Sequence, residues 1–401
     1  MVTKKKEFDL RGKLEEVDKY FYDLKDEFDD LADKNPNWAI DKGLKWLERA
    51  QNSDGGFGIS EGKDSVIHLT ALALLVLSKV EKYTLDNNVI KIALKYLEST
   101  QNKEGWWSYD LGSKTGSVGV TGLVVQALKR IGVNSSNIMF QKSIMFLKES
   151  FSDEKSCWRD NPFSEYGEVS VNEAAFNAIY DLLDKVPLKN CENLIKTKLN
   201  ADEGYGWNFF YDNEQDESDI ENTALALKII KTLDIPATES PAKEAINYII
   251  SSQVPNGGFP RKKHIAKRNE DAENDATALG ISGLIEMGIE PHNEVIHAAT
   301  SFLLRNINID GGWGNKLGSE SDTDSTALAL MALMDAWKNS IPLVDIKLKI
   351  SETRKFIDSF IESHVDLLDD ELNNYKSWNR ILEISITLLG VLIPIVITLF
   401  I

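Results

Sequence analysis

The 401-residue chain is poor in the residue types that build many common sites. It has 2 cysteines, Cys157 and Cys191, and 5 histidines. Neither cysteine belongs to a Cys-x-x-Cys or Cys/His cluster. That argues against a disulfide framework and a cysteine-based zinc site, and it fits a reducing compartment. Positive charge is also scarce: the formal net charge is −18. A phosphate backbone is repelled by such a surface, so no nucleic acid is expected as a partner. There is no Gly-rich phosphate loop, nucleophile elbow or metalloprotease motif. The opening "MVTKKKEFDL" has lysines but no apolar stretch after them, so it does not read as a secretory signal.

What is present is an ordinary globular composition, 42% hydrophobic and 27% charged. One long apolar run stands out. Residues 384–401, "ISITLLGVLIPIVITLFI", contain 18 residues without a charge. That is enough to cross a bilayer core of about 30 Å, and the lone Pro394 is tolerated there. Lys376 and Arg380 precede the run. The pattern predicts a single-pass C-terminal membrane anchor with the main domain cytoplasmic.

The chain also repeats itself. "TALAL" occurs at 70–74, 223–227 and 326–330, and "TALGI" at 277–281; "TGLVV" at 121–125 and "EAAFN" at 173–177 are weaker copies. Anchored on Thr70, Thr121, Glu173, Thr223, Thr277 and Thr326, the spacings are 51, 52, 50, 54 and 49. Each of the six units reads as an amphipathic helix, a turn with an aromatic residue, and a second helix of small and aliphatic residues. One unit cannot bury its own apolar face, so neighbours stack. The first and last units are as apolar as the middle ones, which favours a closed ring over a capped open stack. The second helices would form its inner layer.

Outer helices that end in Gln-x-x-x-Gly-aromatic carry a family resemblance. Gln51 leads to Gly55-Gly56-Phe57, Gln101 to Gly105-Trp106, and Gln253 to Gly257-Gly258-Phe259. The pattern resembles the QW repeats of squalene and terpene cyclases, whose barrel is similar to that of protein prenyltransferase β-subunits. The resemblance covers about residues 37–340. It implies an all-α (α/α)6 toroid of six helical hairpins. The prenyltransferase branch implies a zinc held by Asp, Cys and His of late repeats, and those repeats have no cysteine here. The class II cyclase branch implies Asp-x-Asp-Asp before Thr-Ala, with the central aspartate as the acid. The match is Asp322-Thr323-Asp324-Ser325-Thr326-Ala327. It puts Asp324 in the acid position, Asp322 in the first position, and Ser325 where the last aspartate would stand.

Two other repeats are acidic at the same places, four and two residues before the threonine: Asp219 and Glu221, then Glu273 and Asp275. The corresponding pairs in the first three repeats are Val66 and His68, Ser117 and Gly119, and Val169 and Val171. Helix capping accounts for a single acid of this kind. Three pairs converging on one mouth of a ring need protons or cations to limit their repulsion. Protonated carboxyls suit a general acid. Ionised ones suit a divalent cation such as Mg2+ bridging to a diphosphate.

Aromatics at the same turns, among them Trp207, Phe259 and Trp313, are either packing or ring faces toward a cationic intermediate. The basic run "RKKHIAKR" at 261–268 includes Arg261 and Lys262. It reads as a solvated loop or an anion site. Outside the ring, residues 1–36 hold a charged helix whose heptad pattern, from Leu10 to Leu31, suits packing on the barrel or pairing with a partner helix. Residues 341–383 read as a helical stalk. The leading expectation is a membrane-tethered class II terpene cyclase-like protein acting on an apolar isoprenoid. The alternative is a non-catalytic toroid that binds a lipid or protein partner.

Overall fold

The computed structural model describes residues 37–337, apart from 153, 155, 166, 184–188, 190–191, 193–194, 196–205, 208–216 and 263–267. The chain divides into two compact units, Met1–Asn339 and Ser340–Ile401, and the described residues belong to the first. The expected N-terminal helix, stalk and membrane anchor lie outside the described residues. Among the described residues, no helix is long and apolar enough to cross a membrane.

Eleven α-helices occur among the described residues. In chain order they are α1 (Asn37–Ala50), α2 (Ile67–Leu77), α3 (Asn88–Thr100), α4 (Val118–Ile131), α5 (Ile138–Glu149), α6 (Val169–Ile179), α7 (Ile220–Thr232), α8 (Ala242–Ser251), α9 (Asn274–Glu286), α10 (Glu294–Arg305) and α11 (Thr323–Trp337). Helices α2, α4, α6, α7, α9 and α11 are the inner ones. Each packs on the next, and α11 packs back on α2. The ring is closed, and the fold is an α/α toroid. The outer helix of the fourth hairpin falls outside the described residues.

Closure reuses the contact that joins any two neighbouring units. Gly105, in the second turn, has φ +94°, and a Cβ on it would lie 2.5 Å from the backbone carbon of Lys142 in the next outer helix. Only glycine fits such a place. Gly311 repeats that φ in the sixth turn, and its missing Cβ faces Lys42 of the first outer helix. The N–H at the start of four inner helices shows the same pattern. Val118 donates to Asp160 O (2.8 Å), Ile220 to Arg261 O (2.9 Å), and Thr323 to Ile59 O (2.8 Å) across the seam. Trp46 Nε1 adds a bond to Asp310 Oδ2 at 3.0 Å.

The motif residues do mechanical work. Gln101 Nε2 donates to Gly105 O (3.0 Å) in its own turn and to Met139 O (2.9 Å) of the next outer helix. Gln51 and Gln253 do the same. The repeated threonine accepts from the turn aromatic: Phe57 N to Thr70 (2.9 Å), Trp107 N to Thr121 (3.0 Å), Phe259 N to Thr277 (2.8 Å) and Trp313 N to Thr326 (2.9 Å). Its hydroxyl also donates one turn back, as Thr277 does to Glu273 O (2.6 Å).

This bond corrects the register of the third unit. Trp158 N donates to Asn172 Oδ1 (2.9 Å), and Asn172 Nδ2 donates to Glu168 O (2.8 Å). Asn172, rather than Glu173, stands in the threonine place. The position needs an acceptor and a donor in one side chain, which an amide offers and a carboxylate does not. The first and second positions of that unit are therefore Glu168 and Ser170, in place of Val169 and Val171.

Three tiers follow along the inner helices. The second positions form a rim: His68, Gly119, Ser170, Glu221, Asp275 and Asp324. All six are half-buried. One turn further lie Leu72, Leu123, Ala174, Leu225, Leu279 and Leu328, an almost complete collar of leucine. Seven residues past the rim lie Leu75, Gln126, Asn177, Lys228, Ser282 and Met331. Spacings of four and three keep these residues on one helix face. The other faces are covered by neighbouring inner helices and by the outer layer, so this stripe faces the lumen.

Candidate functional site

The two acids of each pair do different jobs. Asp219 is buried and caps α7: its Oδ1 accepts from Asn222 N (2.7 Å) and its Oδ2 from Asn222 Nδ2 (2.8 Å). Asp322 does the same for α11, accepting from Ser325 N (2.7 Å) and Ser325 Oγ (3.0 Å). Glu273 pairs with Lys316 at 2.9 Å. Capping and pairing thus account for the first positions. They do not account for Asp275 and Asp324 on the rim, and Glu221 beside them caps nothing, although Arg261 pairs with it.

Burial dominates the electrostatics of the rim. Desolvation pushes Glu221 up to about 7, against the pull of Arg261, whose guanidinium lies 3.6 Å away. Desolvation also raises Asp275 to about 7, with the charges of Asp324, Asp322 and Glu273 adding to it and a hydrogen bond to Ser325 opposing it. Asp324 rises to about 6, by burial and then by the charge of Asp322. Asp322 and Asp219 are raised by burial too, while the hydrogen bonds of their capping role oppose the rise. The helix N-terminus does not win here: three rim carboxyls retain protons far above the usual carboxylate range.

Ser325 links two of these acids. Its Oγ donates to Asp322 Oδ2, so its single proton is committed. Toward Asp275 the same hydroxyl opposes the rise that burial imposes. The other oxygen, Asp275 Oδ1, is buried without a hydrogen-bond partner among the described residues. An unpaired oxygen costs less on a neutral carboxyl than on a carboxylate. Burial and the unpaired oxygen both favour the neutral form of Asp275.

The remaining rim positions differ. His68 is held neutral by burial, and its ring stands edge-on to Tyr109 at 5.3 Å. Behind Ser170, the first-position acid Glu168, hidden by the misread register of the third unit, is raised by burial and by nearby Asp160. Asp160 accepts from Ser117 Oγ (2.5 Å) and Gly119 N (3.1 Å) at the start of α4. The spacing from turn aromatic to anchor would have exposed Glu168: it is 14 residues for both Trp107–Thr121 and Trp158–Asn172. Among the described residues, no three His, Cys, Asp or Glu side chains are placed to share a metal ion.

The aromatics expected to meet a substrate are placed elsewhere. Trp207, Phe259 and Trp313 are all 0% exposed. Trp313 Nε1 donates to Leu303 O (2.8 Å) of its own outer helix, and Trp107 and Trp158 make the equivalent bonds. Trp107, Trp158 and Trp313 thus brace turn against helix, and the fully buried Trp207, Phe259 and Trp313 present no open face. Arg261 does reach the rim, through Glu221, and Lys262 lies 3.9 Å from Glu217. A separate surface cleft of about 390 Å³ lies between the second and third turns, lined by Trp106, Phe146 and Arg159 among others.

The family model of the prenyltransferase alpha-alpha toroid domain matches residues 29–165 and 171–363. No curated protein sequence matches the chain. Among solved structures, the type II terpene cyclase MstE from Scytonema, with geranylgeranyl dihydroxybenzoate as substrate, is 15% identical. The match covers 75% of this chain and 96% of that one, with a TM-score of 0.57. Candida albicans protein geranylgeranyltransferase-I complexed with GGPP is 17% identical, over 75% and 92%, with a TM-score of 0.55. An alpha-amylase from Clostridium perfringens is 11% identical, over 75% and 98%, with a TM-score of 0.58. Such distant likenesses establish the fold, which serves more than one chemistry.

Proposed function

Since the chain belongs to the prenyltransferase alpha-alpha toroid domain family, we propose that it is a terpene cyclase-like protein that cyclises an isoprenoid by protonation. The observation that carries this reading is the rim. Glu221, Asp275 and Asp324 are lumenal, proton-retaining near neutrality and unused as caps, and a leucine tier lies directly below them. Asp324 is the donor that the family resemblance marks. Its carboxyl proton adds to a terminal double bond, and the alkene electrons form the new C–H bond. The cation is attacked by the next double bond, which closes a ring. The last cation loses a proton, and solvent returns one to Asp324 once the product has left, so the product is an isomer of the substrate. Leucine walls exclude water while the cation exists. Residues 384–401 would tether the body to the membrane that dissolves such substrates.

A panel of polyprenyl substrates tests this. The wild type should yield cyclised products, and Asp324→Asn should lower the rate by about 10²-fold or more, as loss of a general acid does. The rate should fall as pH rises through about 6, where Asp324 loses its proton. Ser325 in the acid motif favours the other reading, a non-catalytic toroid that binds a lipid or protein. Retention of an isoprenoid by the wild type with no product from any panel member would establish that reading instead.

A further inference from the structure

The rim holds a base as well as acids. His68 stands at the second position of α2, and α2 packs on α11, which carries Asp324 at the same position. Burial keeps the imidazole neutral. Neither ring nitrogen has a hydrogen-bond partner among the described residues, and Nδ1 is buried. A neutral imidazole has one N–H and one lone pair, so in either tautomer the lone pair is uncommitted. Tyr109 meets the ring edge-on, with centroids 5.3 Å apart. Burial pushes Tyr109 itself up to about 12; the charges of Asp160, Glu168 and Asp324 add to the rise, and a hydrogen bond to Ser117 opposes it. Tyr109 therefore touches His68 and lies in the field of Asp324.

The tier below offers nothing of the kind. Leu72, Leu123, Leu225, Leu279 and Leu328, with Ala174, lie one turn down, about 6 Å along the helix axes. Their side chains carry no lone pair. Protonation from Asp324 and closure of the first ring leave the cation inside that ring, still at rim height. With the hydrocarbon held among the leucines, each further ring would carry the cation down into a tier without an acceptor. Asp324 is by then a carboxylate, and a negative charge on the neighbouring helix favours an imidazolium. We infer that His68 takes the proton from the first-ring cation, which ends the cascade there and makes the product monocyclic. A C–H bond beside the cationic carbon breaks. Its electron pair becomes the new double bond, and the proton joins the free lone pair of His68. The imidazolium passes that proton to solvent once the product has left. This inference rests on the cyclase reading and adds how far the reaction runs and which residue stops it.

Geranylgeraniol and geranylgeranyl diphosphate, incubated with the full chain, test it through product structure, read by mass spectrometry and NMR. The wild-type product should be an isomer with one ring and one double bond fewer than the substrate. His68→Phe keeps the acid and should still consume substrate. Its yield of the wild-type product should fall by about tenfold or more, as loss of a general base does. Products with further rings, or with a hydroxyl added from water, should replace it. His68→Gln, an amide in place of a base, should behave alike. His297→Phe, at an exposed position of α10, should leave the product unchanged. A wild-type product with two or more rings overturns the inference and leaves the cyclase reading standing. So does an unchanged product from folded His68→Phe and His68→Gln, which would mean that Asp324 takes the proton back itself. No cyclised product from the wild type sinks the cyclase reading and this inference with it.

Discussion

Asp275 and Asp322 share one serine, and burial raises both. Asp322 receives both the N–H and the O–H of Ser325, whereas Asp275 Oδ1 has no hydrogen-bond partner among the described residues. The linkage to stability has a definite sign. Asp275 is raised from 3.8 to about 7, so the folded state holds a proton that the unfolded chain has lost. The stabilisation is complete below about pH 4 and is lost as pH rises through 7. Asp275→Asn, which cannot ionise, should therefore gain about 1–3 kcal/mol over the wild type at pH 8 and little at pH 4. Urea melts at the two pH values measure this, and equal differences at both would contradict it. Ser325→Ala removes the one hydrogen bond that holds Asp275 down. Its titration midpoint, followed by the carboxyl infrared band, should move above 7.

The elements are governed by a few backbone bonds repeated around the ring. Thr277→Val keeps the shape but leaves the buried Phe259 N–H without its acceptor, and should cost about 1–3 kcal/mol. Gly105→Ala meets both the positive φ and the backbone of Lys142, and should cost about 2–4 kcal/mol. Denaturant midpoints check both. These bonds also explain what could be read from the chain alone. Thr-Ala and Gln-x-x-x-Gly recur because each unit must satisfy the same donors, so hairpins, ring and rim acids were all legible. The third unit was misread by one residue because asparagine meets the same need with different atoms. The buried aromatics were ambiguous because a tryptophan that braces a turn has the same spacing as one that faces a cavity.

At the level of the whole molecule, the seam between the first and last units is one junction among equals. Asp310 concentrates its closing contacts, accepting from Trp46 through its side chain and from Arg49 through its carbonyl at 2.8 Å. Asp310→Ala should speed amide exchange at Thr323, which crosses the seam to Ile59, more than at Ile220, which bonds to Arg261. Equal acceleration at both sites would mean that the seam is not a separate weak point. The tiers have another consequence. Because each hairpin gives one side chain to the rim, the azimuth of an acid is independent of its height above the leucines. Ser170 in the third hairpin stands half a revolution from Asp324 in the sixth. In a cyclase, Asp324→Asn combined with Ser170→Asp would deliver the proton to the same double bond from the opposite face. The handedness of the product would then be set by which hairpin carries the carboxyl, with the shape of the lumen unchanged.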